Sequence, residues 1–508
     1  MPSSAPNSRS GRDSWGVVRI KVMKFGGSIM SSPADIERVC GIIGSTGERR
    51  IVVLSALDGI TNLLESMAAP ENLNKGSIKR LVRRVRDSHL NMIEKCISSP
   101  KNLSGTRSMI EGLTQGLKGT LLGLKGAESI PPNIRDRVLT YGERMSIHIL
   151  SSALRERGIR SLPLTSEEIG LRAKGFFLNG TVDLEASRKA VNDVLKPLLD
   201  EGIIPIVTGF YGSDHEGESI CFGRNGSDYT SAVIANLAGA DLVEIWKDVP
   251  GFMSADPRII EGARMIRDLT YEEASELSFY GALIIHPRTV EPLAGKGIPL
   301  VIRNIFDPGQ YTMVGGENPL NRGNVRSVTF TRNIGIIKLK GPCIGSRMSI
   351  LKDIAGLIEI SGIRVRSVTS NNGCIMIIMD REDLEPLKKR IESADIPEIE
   401  SIEKCNGLSL VGIVGEGIFE NRNSTSDILR IISEKGIDIR IISSGLSDSA
   451  YYFIVREEDL ARAVSTVHND HILKLVEEIQ KVHEQRIRKE ISGADTPINT
   501  NDRIKILH

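Results

Sequence analysis

A chain of 508 residues is too long for one ordinary core, and two to four domains are the prior. Its 65 basic and 64 acidic residues leave a net charge of +1, which gives no bias toward a polyanionic partner, and aromatic residues at 4% are too sparse for base-stacking platforms. Six cysteines without a C-x-x-C pair argue against a disulfide framework or zinc ribbon and fit a reduced compartment, and no apolar run reaches the roughly 18 residues of a membrane helix.

The opening "MPSSAPNSRSGRDSWG" lacks the apolar stretch of a secretory signal. Residues 1–16 read as a disordered tail, with a short organellar transit peptide as the alternative. "VVRIKVMKFGGS" then predicts a buried strand ending in a glycine turn that opens a helix, and "SPADIERVCGIIGS" predicts that helix. "RRIVVLSAL" is a second strand. One long helical region is expected from 68 to 126, and "NIRDRVLTYGERMSIHILSSALRERG" is a further helix. "IIPIVTGFYGSD" and "ADLVEIWKD" are strands, separated by an apolar helix that opens behind "GRNGSD". Strands alternating with helices, with Gly/Ser turns at strand ends, predict an α/β layered domain.

The chemistry-bearing residues gather at those strand ends. In "KFGGS", Gly26 and Gly27 leave backbone amides free to approach a phosphate, and Lys24 can neutralise phosphoryl charge. The plain structural reading is a tight turn with a surface lysine. "SALDGITN" supplies the hydroxyls of Ser55 and Thr61, which also suit caps. "TYGERMS" places Glu143 three residues after Thr140, the spacing of a capping box. "VTGFYG" sets Phe210 between glycines. In "GRNGSDYTSA", Ser227 or Asp228 can cap a helix, but capping leaves Arg224 unexplained. Four strand ends carry polar or glycine turns, Glu143 being on a helix opened near Thr140, and in an open α/β sheet the ligand crevice lies at the carboxyl ends of the strands.

After about residue 332 the units shorten and a repeat appears. "DIAGLIEISGIRVRSVTS" aligns without gaps to "DILRIISEKGIDIRIISS", each within a strand–helix–strand–strand–helix pattern. That is the core of a ferredoxin-like module, here in tandem.

Together "KFGGS", "SALDGITN", "YGERMS", "VTGFYG", "GRNGSDYTSA", "WKDVPGFMSADPR" and "ALIIHPRT" resemble the amino-acid kinase family, and within it the aspartate kinases, over roughly residues 19–475. The resemblance implies a three-layer αβα sandwich followed by two ferredoxin-like (ACT) α+β domains. The expected boundaries are 17–330 for the kinase domain, 333–402 and 407–480 for the ACT domains, and 485–508 for a C-terminal tail. It implies ATP and Mg²⁺ as cofactors and transfer of the γ-phosphoryl group to the side-chain carboxylate of L-aspartate. By the resemblance Lys24 and Asp228 are catalytic. Ser55, Thr61, Glu143, Phe210, Arg224 and Ser227 bind the amino acid, with Arg224 on its α-carboxylate and Glu143 on its ammonium. Lys24, Gly26, Gly27, Lys247, Asp248 and Arg258 serve ATP, and no protein ligand is assigned to a metal. Met348, Ser349, Asp353 and Ser370 are candidates for an effector such as lysine or threonine.

Four residues depart from the family pattern, among them Ser28, which keeps the hydroxyl of the usual threonine, and Lys247, which stands where many members carry a threonine. Asn225 stands where a glycine is usual, and asparagine tolerates left-handed backbone geometry. Leu283 stands where a lysine often contacts nucleotide phosphates, and Lys247 is expected to replace part of that charge. The expectation is a cytoplasmic homodimer or homotetramer without nucleic-acid or membrane partners. It is expected to act at the entry to lysine, threonine and methionine synthesis, without a fused homoserine dehydrogenase domain. The alternatives are another amino-acid kinase, acting on glutamate or N-acetylglutamate, and a catalytically weak amino-acid-binding regulatory paralogue.

Overall fold

The computed structural model describes residues 20–472 except 46, 48, 128, 224, 317–321, 362, 364 and 421–423. The expected tails, residues 1–16 and 485–508, lie outside the described residues. The chain divides into two compact units, one of residues 1–250 and 288–313, the other of residues 251–287 and 314–508.

The first unit is built on a parallel sheet. It opens with β1 (Ile20–Phe25), α1 (Pro33–Gly44), β2 (Arg49–Leu54), α2 (Ile60–Met67), α3 (Lys75–Cys96), α4 (Pro100–Gly123) and α5 (Pro132–Glu156). It continues with β3 (Ser161–Leu164), the short strands β4 (Ala173–Lys174) and β5 (Thr181–Val182), α6 (Leu184–Asp200) and β6 (Ile204–Thr208). The small hairpin β7 (Tyr211–Ser213) and β8 (Ser219–Cys221) follows, then α7 (Gly226–Ala238) and β9 (Leu242–Lys247). The second unit contributes β10 (Asp268–Thr270) and α8 (Tyr271–Leu277) before the chain returns through α9 (Glu291–Ala294), β11 (Leu300–Asn304) and β12 (Tyr311–Gly315).

Strands β3, β6, β2, β1, β9 and β11 lie side by side in that order, all parallel. Val22, Met23 and Phe25 on β1 are fully buried, as befits a central strand covered on both faces. Helices α1 to α5 pack among themselves, and α6, α7 and α9 do likewise, which gives the two helical layers of an αβα sandwich. The chain leaves β1 toward β2 on one side and reaches β9 on the other, so the carboxyl end of β1 is a switch point.

Two local readings change. The single helical region expected over 68–126 is two helices, α3 and α4, broken at Ile97–Ser99. Pro100 takes the first position of α4, where its missing N–H costs nothing. The glycine turn after β1 makes only a one-turn 3₁₀ segment, Gly27–Ile29. Helix α1 starts later, at Pro33, where Ser32 and Asp35 form a reciprocal capping box.

The second unit carries the repeat. Its elements are β13 (Ser327–Lys340), α10 (Met348–Ser361), β14 (Val365–Asn371), β15 (Cys374–Asp380) and α11 (Leu384–Ser393), then β16 (Ser401–Val414), α12 (Ser424–Glu434), β17 (Ile441–Ser443), β18 (Ala450–Arg456) and α13 (Leu460–Val467). Each copy is βαββα, and both share one antiparallel sheet in the order β14-β15-β13-β16-β18-β17. Each module keeps its own core, one around Ile337, Ile377 and Leu387 and one around Val411, Ile432 and Phe453. Strand β13 runs unbroken through the expected 330/333 boundary, with register shifts between Thr331 and Ile336 where it passes along β16.

Candidate active site

The site is assembled from the carboxyl ends of β1, β2, β6 and β9 together with the starts of α2 and α7 and the middle of α5. Lys24 is the penultimate residue of β1. Its Nζ lies 2.6 Å from Asp228 Oδ1, with side-chain exposures of 5% and 0%. Lys247, the last residue of β9, brings its Nζ to 3.3 Å from the other oxygen, Asp228 Oδ2. One buried carboxylate thus bridges two ammonium groups. Burial pushes the Lys24 ammonium below its ordinary range against the pull of Asp228. Burial works to raise the Asp228 carboxyl, but Lys24 and Lys247 outweigh it and hold it below its ordinary range.

Asp228 does not cap its helix. Helix α7 begins behind Asn225, which has φ 57° and ψ 20° and makes no side-chain cap. Asparagine here adopts the left-handed geometry expected of it. Asp228 sits within the first turn, where the positive end of the helix adds to the two lysines in favouring its charge.

Glycines bring the walls together. A Cβ on Gly26 would stand 3.3 Å from Lys24 Nζ, and one on Gly27 would stand 2.8 Å from the Ala56 carbonyl oxygen. Gly209, at the end of β6, leaves room for Ser227, whose Oγ would be 2.7 Å from a Cβ there. Phe210 follows with φ 79°, its N–H donating to Thr230 Oγ1 at 3.0 Å. Ser55 is half-buried after β2, on the same turn as Ala56, and Thr61 is half-buried in the first turn of α2.

Glu143 lies in the middle of α5, which starts at Pro132, so Thr140 is no cap and the capping-box reading fails. Thr140 donates instead to the Arg137 carbonyl at 2.9 Å. Glu143 Oε1 accepts the Ala56 N–H at 3.1 Å, while Oε2 is buried with no hydrogen-bond partner among the described residues. Burial raises its carboxyl to about 8, opposed by the Ala56 N–H and the charge of Lys24. Ser146, one turn on, donates to the Ser55 carbonyl at 2.8 Å and ties the helix to the same turn.

The other anticipated residues are spread more widely. Arg224 lies outside the described residues. Asp248 is exposed just beyond β9. Arg258 and Leu283 belong to the second unit, where Arg258 is exposed and gripped by Asp256 and Leu283 is exposed with φ 48°. Also in that unit, Met348, Ser349 and Asp353 lie on the exposed side of α10, and Ser370 is exposed on β14. Gly345, in the 3₁₀ turn before α10, packs on the end of β14, where a Cβ would fall 1.9 Å from the Asn371 carbonyl oxygen. Sequence reading did not single out Gly142, Ser146 or Asp136. The available signal was an α5 face that repeats polar residues among apolar ones.

A buried and a half-buried lysine around one carboxylate, glycine-bared amides and a carboxyl group with a spare oxygen can bind and orient two anions and an ammonium group. Among the described residues no group of three His, Cys, Asp or Glu could hold a metal ion, and both oxygens of Asp228 face lysines.

Residues 19–304 match the model of the amino acid kinase family, and residues 411–470 match an ACT domain. The chain belongs to the amino acid kinase family. Relatives within it include the bifunctional aspartokinase/homoserine dehydrogenase of Haemophilus influenzae, 28% identical over 88% of this chain and 56% of that protein. The lysine-sensitive aspartokinase 3 of Escherichia coli is 28% identical over 89% of this chain and 99% of its own length. The chain thus spans little more than half of the bifunctional relatives and nearly all of the monofunctional one. Among solved structures, E. coli aspartokinase III in complex with aspartate and ADP (R-state) superposes with a TM-score of 0.78 at 26% identity, covering 89% of this chain and 99% of that one. The same enzyme with lysine and aspartate (T-state) gives a TM-score of 0.71. The αβα sandwich and the antiparallel ACT sheet expected from the sequence are both present.

Proposed function

We propose that this member of the amino acid kinase family is an aspartate kinase, transferring the γ-phosphoryl group of ATP to the side-chain carboxylate of L-aspartate. The observation that carries the reading is the buried Lys24–Asp228–Lys247 bridge beside Gly26 and Gly27, faced by a carboxylate with one unengaged oxygen. E. coli aspartokinase III, similar over nearly the whole chain, is known with aspartate and ADP bound.

In this reading Lys24 meets the transferring phosphoryl group, and the amides of Gly26 and Gly27 take phosphate oxygens. Asp228 holds Lys24 and Lys247 in place. Glu143 Oε2 receives the substrate ammonium, Arg224 takes the α-carboxylate, and Ser55, Thr61, Phe210 and Ser227 close the pocket. Asp248 and Arg258 serve the nucleotide. A side-chain oxygen of aspartate bonds to the γ-phosphorus as the bond to the β,γ-bridging oxygen breaks. The products are 4-phospho-L-aspartate and ADP, with no covalent enzyme intermediate. Catalysis is positioning plus neutralisation of two mutually repelling anions. Mg²⁺ would supply further charge neutralisation on the phosphates. The chain's own carboxylate at the site is committed to lysines, so we assign Mg²⁺ no protein ligand.

The ACT modules support feedback by an amino acid. Lysine is the leading candidate, since the E. coli relative is named lysine-sensitive and is known with lysine bound. Met348, Ser349, Asp353 and Ser370 are its proposed contacts. Control would require the effector to bind one state of the protein more tightly than the other. We place the enzyme at the entry to lysine, threonine and methionine synthesis, as a cytoplasmic homo-oligomer.

The test is a substrate panel. Purified protein with MgATP and hydroxylamine should form the hydroxamate of L-aspartate and not those of L-glutamate or N-acetyl-L-glutamate. Reaction with either competitor in place of aspartate would overturn the assignment.

A further inference from the structure

Asp136 lies at the start of α5, seven residues before Glu143 and therefore on nearly the same face two turns away. It is 0% exposed. Its Oδ2 accepts two backbone N–H groups, from Cys221 at 2.7 Å and from Leu178 at 2.9 Å. Its Oδ1 is buried with no hydrogen-bond partner among the described residues. A carboxylate kept out of water with one oxygen unengaged is costly unless it fixes something that matters.

What it fixes is a crossing of two chain segments. Leu178–Gly180 lies directly on β8, where a Cβ on Gly180 would stand 2.3 Å from Ile220 Cγ2 and the Gly180 N–H donates to the Cys221 carbonyl at 2.9 Å. Arg288 binds the same crossing by its carbonyls. Its guanidinium donates to Phe222 O at 3.0 Å and to Gly180 O at 3.3 Å, and it stands 5.5 Å from the centre of the Tyr229 ring on α7. Tyr229 is in turn the acceptor for the Val182 N–H at 3.2 Å. One residue therefore takes the amide hydrogens of the crossing and the other gives to its carbonyls. Two residues beyond Phe222's neighbour Gly223 comes Asn225, behind which α7 opens with Gly226 and Ser227.

We propose that Asp136 and Arg288 are positioning residues that clamp the Leu178–Gly180/Cys221–Phe222 crossing and thereby set the affinity of the start of α7, at Ser227, for the amino-acid substrate. The inference rests on the aspartate-kinase reading, in which Ser227 at the start of α7 contacts the substrate. In that reading neither Asp136 nor Arg288 is assigned to the phosphates, so the clamp is expected to act on one substrate only.

The experiment compares Asp136→Ala and Asp136→Asn in the full chain. Asp136→Ala should raise KM for L-aspartate about tenfold or more while kcat and KM for ATP stay within about threefold. Asp136→Asn keeps an acceptor oxygen and should recover most of the loss. Amide exchange at Leu178 and Cys221 should quicken in the alanine variant and not in the asparagine variant. An unchanged KM for aspartate in a folded Asp136→Ala protein, or equal rises in both KM values, would overturn the proposal. If the wild-type protein phosphorylates no aspartate, the kinase reading falls, and amide exchange alone then decides for or against the clamp. Should Asp136→Ala fail to fold, Arg288→Gln carries the same test, with the same selective rise in KM expected.

Discussion

Lys24 and Asp228 form an ion pair at 2.6 Å that is closed to water on both sides, and Lys247 completes it from the opposite carboxylate oxygen at 3.3 Å. Removing the central charge leaves two ammonium groups facing each other in a poorly solvated place. Asp228→Asn should therefore cost stability as well as activity, on the order of 3 kcal/mol by analogy with broken buried pairs. Urea unfolding measures it, and a loss below about 1 kcal/mol would show that the bridge is not structural.

Lys247 is less buried than Lys24 and needs Asp228 less. If it also compensates for Leu283, Lys247→Ala should raise KM for ATP several-fold and leave KM for aspartate unmoved. A full kinetic matrix decides this, and an unchanged KM for ATP sinks the compensation.

Glu143 carries a pH signature. Its carboxyl stands at about 8 in the folded chain against an ordinary 4.5, so the native state holds a proton there that the unfolded state has lost. The unliganded protein is accordingly stabilised at low pH by this group and loses that contribution as pH rises from about 4.5 to about 8. Glu143→Gln removes the dependence and should flatten the thermal-melting profile over that window. A substrate ammonium beside Glu143 favours the carboxylate, so L-aspartate binding at pH 7 should release up to about one proton per site. Calorimetry in buffers of different ionisation enthalpy reads this release directly.

Gly142 packs α5 against the substrate turn, where an added Cβ would stand 2.6 Å from Ala56 Cβ. Alanine normally improves a helix by up to about 1 kcal/mol over glycine, but overpacking here should outweigh that by roughly 1–3 kcal/mol. Gly142→Ala should thus lower the melting temperature, whereas Gly112→Ala on exposed α4, with nothing near its would-be Cβ, should not.

The layered α/β class was legible because β1, β2 and β6 read as apolar runs followed by glycine or serine, a pattern that helices do not share. The tandem modules were legible because the repeat preserves its Asp, Gly-Ile and Ser positions in register. The break between α3 and α4 was not, since amphipathic periodicity continues across Ile97–Ser99 and only Pro100 marks it. Local rules also misassigned Thr140 and Asp228 as caps. Thr140 keeps a local bond, to the Arg137 carbonyl, because α5 began eight residues earlier, while the partners of Asp228, Lys24 and Lys247, are set by tertiary placement. Asp136 was invisible for the same reason, because its partners lie 42 and 85 residues away.

The most direct measurement is the hydroxamate assay with L-aspartate and MgATP, run on the wild-type chain and on Lys24→Ala. Aspartyl hydroxamate from the wild type and a loss of at least about a hundredfold in kcat for Lys24→Ala, with the variant still folded, is the predicted result. Undiminished turnover in Lys24→Ala, or none from the wild type at saturating substrate, would contradict the assignment of the buried lysine bridge as the centre of phosphoryl transfer.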